Sequence, residues 1–498
     1  MFVSPGRNVE TPLVGVWRLG IKEIFVLQEE TPSGVKADRE PGNKRKRWPP
    51  WNALSARHGI IAYLPIIIAA ILMFYGASWQ LFHPHTDASR YQCYALTFWL
   101  GSHAVKLLQP TQCYFISSSA MIAAPLHMLP IEYPPLTLLI FSLGLLAPLA
   151  YYQVAFALWM AIAALLIFWI LQRFGPRGSA LTFACYVLVG AYATAEGRFD
   201  LVPAGITLLC VIAAERKRWS IAYITLAVAV LLKIYPILFL PALFIAEQRD
   251  AGRFSTPQAT MTLRTLPREL WQTLRGFRRW QWKHCLMFLG VLIGVTALFA
   301  LLNAQGAGES QFSYFANRPM QIEASGSSLL WIATLFGFPA RTVYTFGSLN
   351  IVSPLDNAVS LLSSAAFALG CLYVIWLQWR GKLNMVQACI ALLLVFIATG
   401  KVFSPQYLIW VLPLLAYAYP LDLLWFPYWT LISLLTTIIY PYLYTRTPQI
   451  TSVYRVPGFL EIVGLRDGLL VLLTLAFLFN WLDIRERKAI IAAPVNLS

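Results

Sequence analysis

From Gly59 to Thr86 the chain carries no Lys, Arg, Asp or Glu, and residues 133–172 are also uncharged. A helix needs about 20 apolar residues to cross a bilayer. Runs of this length constrain the chain more than any motif in it. Composition agrees: 58% of the 498 residues are hydrophobic and 12% are charged. An ordinary soluble domain carries about twice that charge. With a mean hydropathy of +0.62, a water-soluble fold would expose far more apolar surface than such folds tolerate. An ordinary soluble enzyme, a disordered chain and a disulfide-rich secreted module are excluded. The expected class is an all-α polytopic membrane protein.

The formal net charge is +16. The basic residues stand in short clusters between apolar runs, the pattern of cytoplasmic loops, so no nucleic-acid partner is expected. Lys44-Arg45-Lys46-Arg47, Arg173/Arg177, Arg216-Lys217-Arg218, the stretch from Arg249 to Lys283, Arg380/Lys382 and Arg485–Lys488 mark the inner side. An even number of crossings must separate each pair of marks. Spans near 59–79, 179–195, 200–214, 219–232, 235–246, 286–303, 356–378, 384–400, 402–419, 422–440 and 465–482 satisfy this. Residues 133–172 are uncharged for long enough to hold two crossings, with a break at Pro148, while parity requires one crossing or three between the first span and Arg173. The total is about 12 crossings, with both termini cytoplasmic. The expected organisation is a cytosolic tail over 1–57, a transmembrane domain over 58–488 with a basic cytoplasmic loop at 249–283, and a C-terminal tail over 489–498. Residues 1–57 show no cleavable signal sequence. Of seven cysteines, Cys93 and Cys113 share one external loop. A disulfide between them is compatible with the spacing and not required by it.

This parse uses only loop charge and hydrophobicity, yet it sends a distinctive polar set to one external face. The set holds His83-Pro84-His85-Thr86-Asp87 with Arg90, Glu132-Tyr133-Pro134-Pro135, Glu196-Gly197-Arg198-Phe199-Asp200 and Lys233. It continues with Asn317-Arg318 through Gln321-Ile322-Glu323, and with Lys401 through Ser404-Pro405-Gln406-Tyr407. Ionisable groups at membrane depth are costly and usually line a cavity or pair with one another. Mixed acids and bases at one interface fit an anionic substrate with a carboxylate for proton transfer. Each element also has a plainer reading. Asp87 is equally a loop acid. Arg198 and Asp200 can pair across a turn, as can Arg318 and Glu323. Lys233 can snorkel, and Glu132-Tyr133-Pro134-Pro135 reads as a helix start.

In this order and on this side, the residues resemble the membrane-embedded C superfamily of glycosyltransferases, and most of all glycosyltransferase family 87. The features are Asp87 after the first span, the aromatic-rich stretch Tyr91–Leu108, Tyr133-Pro134-Pro135-Leu136, Gly197–Asp200 and Leu232–Pro236. Arg318-Pro319-Met320-Gln321-Ile322-Glu323 and Phe403-Ser404-Pro405-Gln406-Tyr407-Leu408-Ile409-Trp410 complete them. The resemblance implies a bundle with an amphipathic helix in its external first loop. It implies a polyprenyl-phosphate-linked sugar donor, often mannose, a lipid or glycan acceptor, inversion at the anomeric carbon, and Asp87 as general base. It further implies a bacterial plasma membrane. Arg318, Arg198, Lys233 and Lys401 are the candidate cations for the leaving phosphate. Asp200 or Glu323 is a candidate to balance developing positive charge. Arg90, Tyr133, Gln321, Gln406 and Tyr407 complete the expected substrate-binding set. Asp87 is the lone acid between the first span and Glu132, so no metal or other cofactor is expected. A transporter or lipid flippase is the alternative, and a membrane scaffold with a basic cytoplasmic belt is a third reading.

Overall fold

The computed structural model describes residues 60–84, 86–109, 112–117, 124–254, 271, 275–304, 306–307 and 318–480. The N-terminal tail, His85, Asn317, much of the 249–283 stretch and the C-terminal tail lie outside the described residues. Contacts divide the chain into residues 1–55 and residues 56–498. The architecture below is that of the second unit.

It is mostly helical. The first half holds α1 (Leu64–Ala77), α2 (Asp87–Leu100), α3 (Tyr152–Phe174), α4 (Ser179–Gly190), α5 (Leu201–Glu215), α6 (Trp219–Leu232), α7 (Phe239–Asp250) and α8 (Lys283–Leu302). The second half holds α9 (Ser325–Thr334), a hairpin of β1 (Arg341–Thr345) and β2 (Ser348–Val352), α10 (Asp356–Trp379), α11 (Met385–Thr399), α12 (Tyr407–Ala418), α13 (Trp425–Thr437) and α14 (Phe459–Leu478). The expected break falls where Pro148 suggests. A short helix, Thr137–Ser142, tightens to 3₁₀ geometry and ends before it. α4 packs against α1, α12 and α13; α5 packs against α6, α3 and α12; α11 packs against α10, α14 and α7.

Three helices among the described residues are long and apolar enough to cross a membrane: Leu149–Phe174, Lys283–Leu302 and Asp356–Trp379. α8 and α10 are almost unburied by protein along their apolar windows. Leu286, Ile293, Leu298, Leu361, Leu369 and Leu372 face outward, as side chains meeting lipid do. The shorter apolar helices pack within the bundle, where a helix need not span the full hydrocarbon thickness.

Contacts at one end of the bundle gather the basic clusters. The Arg216 guanidinium lies 4.5 Å from the Phe174 ring centroid, Lys217 pairs with Asp250, and Arg249 donates to the Trp379 carbonyl. The polar set gathers at the other end.

Two features go beyond the sequence expectation. α2 lies in the first loop, where the amphipathic helix is expected, and is buried along nearly all of its length, from Ala88 through Phe98 apart from Arg90. It is wedged against the short helix Thr137–Ser142 and α3. The Cys93–Cys113 disulfide, Cα–Cα 5.8 Å, ties it down, with Gln112 donating to the Ser89 carbonyl at 2.9 Å. The long segment before α10 also contains the β1–β2 hairpin, which hydropathy does not signal. Its turn places Phe346 at φ 52° and Gly347 at φ 66°, the left-handed region that favours glycine.

Candidate active site

Asp87 opens α2. Thr86 caps the helix, its Oγ1 accepting from Ser89 N–H at 3.2 Å, and an acid in the first turn complements the helix dipole. The cap and dipole thus place the Asp87 carboxylate at a helix start, on the wall of a cavity of about 580 Å³. Arg198, from the turn before α5, pairs with Asp87. Arg90, one turn along α2, lies 4.0 Å from Asp87 Oδ1 and pairs with Glu132. Glu132 is thereby part of the site wall and not simply a helix start. Burial pushes its carboxyl up from the usual range, opposed by Arg90 and, more weakly, by Arg318.

Beneath these groups the rings of Tyr91, Tyr133, Phe141 and Phe199 interlock. Tyr91 stacks on Phe141 at 4.2 Å, and Tyr133 meets Phe199 edge-on at 5.4 Å. Such packing fixes ring positions and gives the charged cluster a rigid floor.

The opposite wall comes from the second half of the chain. Arg318 donates to Ser348 Oγ at 2.8 Å. Gln321 N–H donates to the Lys401 carbonyl at 2.9 Å, and Ile322 N–H to the Leu349 carbonyl at 3.0 Å, which docks the 318–324 segment onto β2. The hairpin tip comes so close that a Cβ on Gly347 would lie 2.9 Å from Arg90 Nη1. Glu323 accepts from Tyr444 Oη at 2.8 Å and lies 3.7 Å from Arg466 Nη1. Burial pushes its carboxyl up, opposed first by Arg466.

Of the expected residues, Asp87, Arg90, Tyr133, Arg198, Arg318, Gln321, Glu323, Gln406 and Tyr407 line this cavity. Asp200, Lys233 and Lys401 are not among its lining residues. Asp200 is fully buried, paired with Lys233, and accepts from Trp410 Nε1–H. Lys233 lies 4.8 Å from the Phe199 ring centroid and 5.0 Å from that of Trp410. Trp410 is stacked between Tyr235 and Tyr407. This pair therefore sits behind the wall, holding the turn that carries Arg198. Lys401 contributes its backbone carbonyl. The two close-range pairings weighed in the sequence are replaced by long-range ones: Arg198 reaches Asp87 instead of Asp200, and Glu323 turns to Tyr444 and Arg466.

Sequence reasoning missed Arg466, Tyr440, Tyr444 and the hairpin residues Tyr344, Phe346 and Ser348. Arg466 had a signal: Arg466-Asp467 interrupts an otherwise apolar run, and ionisable residues there are costly. Tyr440, Tyr444 and the hairpin had none, since aromatic residues are common at bilayer interfaces. Among the described residues, no group of three or more His, Cys, Asp or Glu is placed to hold a metal ion.

Glu196 lies in the same turn as Arg198 and stays apart from this chemistry. It is 1% exposed, neither carboxyl oxygen has a hydrogen-bond partner among the described residues, and burial pushes it up to about 9.

Residues 131–268 match the model of glycosyltransferase family 87. This is the family the sequence resembles, and it implies a membrane glycosyltransferase in preference to a transporter or a scaffold. The matched stretch contains Glu132, Tyr133, Arg198, Asp200 and Lys233. Asp87, Arg318 and Glu323 lie outside it. No curated protein matches the chain.

Proposed function

We propose that the protein transfers a sugar, with mannose the first candidate, from a polyprenyl-phosphate donor to a hydroxyl of a lipid or glycan acceptor, with inversion and with Asp87 as general base. The observation that carries this reading is the Asp87 carboxylate on a cavity of about 580 Å³ that is also lined by Arg90, Arg198 and Arg318. A carboxylate beside three guanidiniums suits a reaction that accepts a proton and releases a phosphate.

In this reading the acceptor oxygen attacks the anomeric carbon as the bond from that carbon to the phosphate oxygen breaks. The acceptor proton passes to Asp87 and the electron pair leaves with polyprenyl phosphate. Arg318, which lines the cavity and donates to Ser348 Oγ at 2.8 Å, takes the phosphate, because guanidinium offers paired donors to its oxygens. Arg198 is shared: a phosphate drawing on it loosens its hold on Asp87 as the donor seats. Arg90 is held by Glu132 and orients the base. Tyr133, Gln321, Gln406 and Tyr407 supply hydroxyl and amide groups suited to a sugar. The donor's chain stays in the bilayer beside the apolar bundle. The site needs no metal for this step, and we place the reaction at the external face of a bacterial plasma membrane.

The test is transfer of radiolabelled mannose from polyprenyl-phosphate-mannose to membrane lipid extract by wild type and Asp87→Asn. General base catalysis is worth roughly 10²–10⁴-fold. A folded Asp87→Asn variant that falls by that factor supports the reading. Equal transfer by both proteins removes Asp87 as base. Silence of the wild type across a panel of lipid-linked sugars removes the donor class.

A further inference from the structure

A second cavity, of about 620 Å³, lies beside the first and shares Thr447 with it. Its polar lining is Arg446, Thr447, Ser452 and Arg455, and no carboxylate lines it. Both arginines come from the excursion between α13 and α14, each closing a short 3₁₀ turn: Tyr444–Arg446 and Ile450–Arg455. Arg455 is braced by its neighbour, with Nε–H donating to Tyr454 Oη at 3.0 Å.

The contrast with the first cavity is one of charge. There Arg90 and Arg198 are engaged by Glu132 and Asp87. Here neither arginine makes an ion pair with an acid among the described residues. Thr447 Oγ1 donates to the Gln449 carbonyl at 3.1 Å, so two guanidiniums and the Ser452 hydroxyl around one space, with no acid to balance them, form the receptor for an oxyanion. The rest of the lining is apolar: Leu443, Val456 and Pro457. Val456 and Pro457 lead along the chain into α14, whose Leu465 and Leu472 are exposed, and Tyr442, next to Leu443, is exposed as well. A basic polar pocket with an apolar lining that leads into a helix bearing exposed leucines matches a molecule with an anionic head and hydrocarbon chains.

We propose that this second cavity binds the headgroup phosphate of an anionic phospholipid of the surrounding bilayer, with its acyl chains along α14. Residues 444–447 form the ridge between the two cavities, so a lipid bound here steadies one wall of the active site without entering it. The site is independent of which sugar is transferred, and it can be tested without any transferase assay.

The full-length protein is reconstituted in nanodiscs of phosphatidylcholine alone or of phosphatidylcholine mixed with phosphatidylglycerol. Thermal unfolding and native mass spectrometry are then compared for wild type, Arg446→Gln/Arg455→Gln and Arg446→Lys/Arg455→Lys. A ligand that binds only the folded state raises the melting temperature by mass action. Wild type is expected to melt higher with phosphatidylglycerol and to retain one such lipid on release from the nanodisc. The Gln pair is expected to lose both effects while melting like wild type in phosphatidylcholine alone, and the Lys pair to keep at least part of them. Retained-lipid occupancy is expected to drop about tenfold in the Gln pair, from loss of charged hydrogen bonds. Three results overturn the proposal. One is an equal phosphatidylglycerol effect in wild type and the Gln pair. Another is a Gln pair already destabilised in phosphatidylcholine alone, which makes the arginines structural. The third is the same shift produced by inorganic phosphate in phosphatidylcholine nanodiscs, which assigns the cavity to a soluble anion.

Discussion

Two clusters of acids and arginines stand at the candidate active-site cavity, and they are built of the same residue types in different settings. In the first, Asp87 and Glu132 meet Arg198 and Arg90, with side chains 13–17% exposed. In the second, Glu323 and Asp467 meet Arg466, with side chains 0–4% exposed. Arg466 donates through Nη2 to the Glu323 carbonyl at 2.6 Å and through Nε to Asp467 at 2.8 Å, and Ser328 caps Asp467 at 2.6 Å. Its guanidinium also lies 3.8 Å from the Phe403 ring centroid. The second cluster is a strut: its charges are consumed by neighbours, and removal of one leaves others buried and unpaired. All four side chains of the first line the cavity, whereas the second reaches it through Glu323 alone, so the groups of the first can exchange partners with a substrate. The lesson is that charge type does not separate these two clusters; access to the cavity does.

That contrast can be broken most sharply at Asp87 and Arg466. Asp87→Asn is expected to lose roughly 10²–10⁴-fold in transfer rate with an unchanged melting temperature, as read by radiolabel transfer beside thermal unfolding in the same detergent. Arg466→Met is expected to do the reverse first. Breaking a buried ion pair from one side costs about 3–5 kcal/mol, so folded yield and melting temperature should fall before any activity is measured. If Arg466→Met unfolds normally and only activity is lost, the strut is part of the chemistry. A smaller effect separates Arg318 from the rest. Arg318→Lys keeps the charge and loses the fork, so the donor KM should rise about tenfold with kcat nearly kept, checked by steady-state kinetics at saturating acceptor.

Glu196 supplies the smallest effect and a third type of acid, buried without a partner. Its folded value of about 9 lies above the ordinary 4.5. The folded state therefore binds its proton more tightly than the unfolded chain, and this stabilising contribution is full below about 4.5 and fades as pH rises toward 9. The wild-type melting temperature should decline across that window, and Glu196→Gln should flatten the decline, checked by unfolding scans at several pH values. Equal slopes in both proteins would mean that Glu196 acquires a counter-charge in the membrane-embedded state.

Much of the bundle was legible in the residues. α6 occupies 219–232 as expected, α10 begins at Asp356, and Pro148 ends a helix segment. Hydropathy acts locally, so it reports these elements well. Its signal weakened where elements are short or irregular. The hairpin from Arg341 to Val352 has too few residues to show a period, and α2 hides its burial behind polar residues such as Ser89, Gln92 and Thr97, all buried. For the site, nine of the twelve expected residues line one cavity. Lys233 and Asp200 could not be told from lining residues by sequence, since a lysine between apolar helices looks the same whether it meets a substrate or an aspartate.

By itself the sequence determined that this chain is a membrane helical protein, where its apolar runs lie, and that its polar groups belong at one end of the bundle. All three follow from the cost of placing charge and unpaired backbone in hydrocarbon, a cost each segment meets on its own. The tertiary structure alone decided the pairings. Asp87 meets Arg198, Glu323 meets Arg466, and Arg90 fits under Gly347 because segments more than a hundred residues apart pack into one cavity wall. Partners at such separation are set by how helices pack, and no local pattern of residues encodes that.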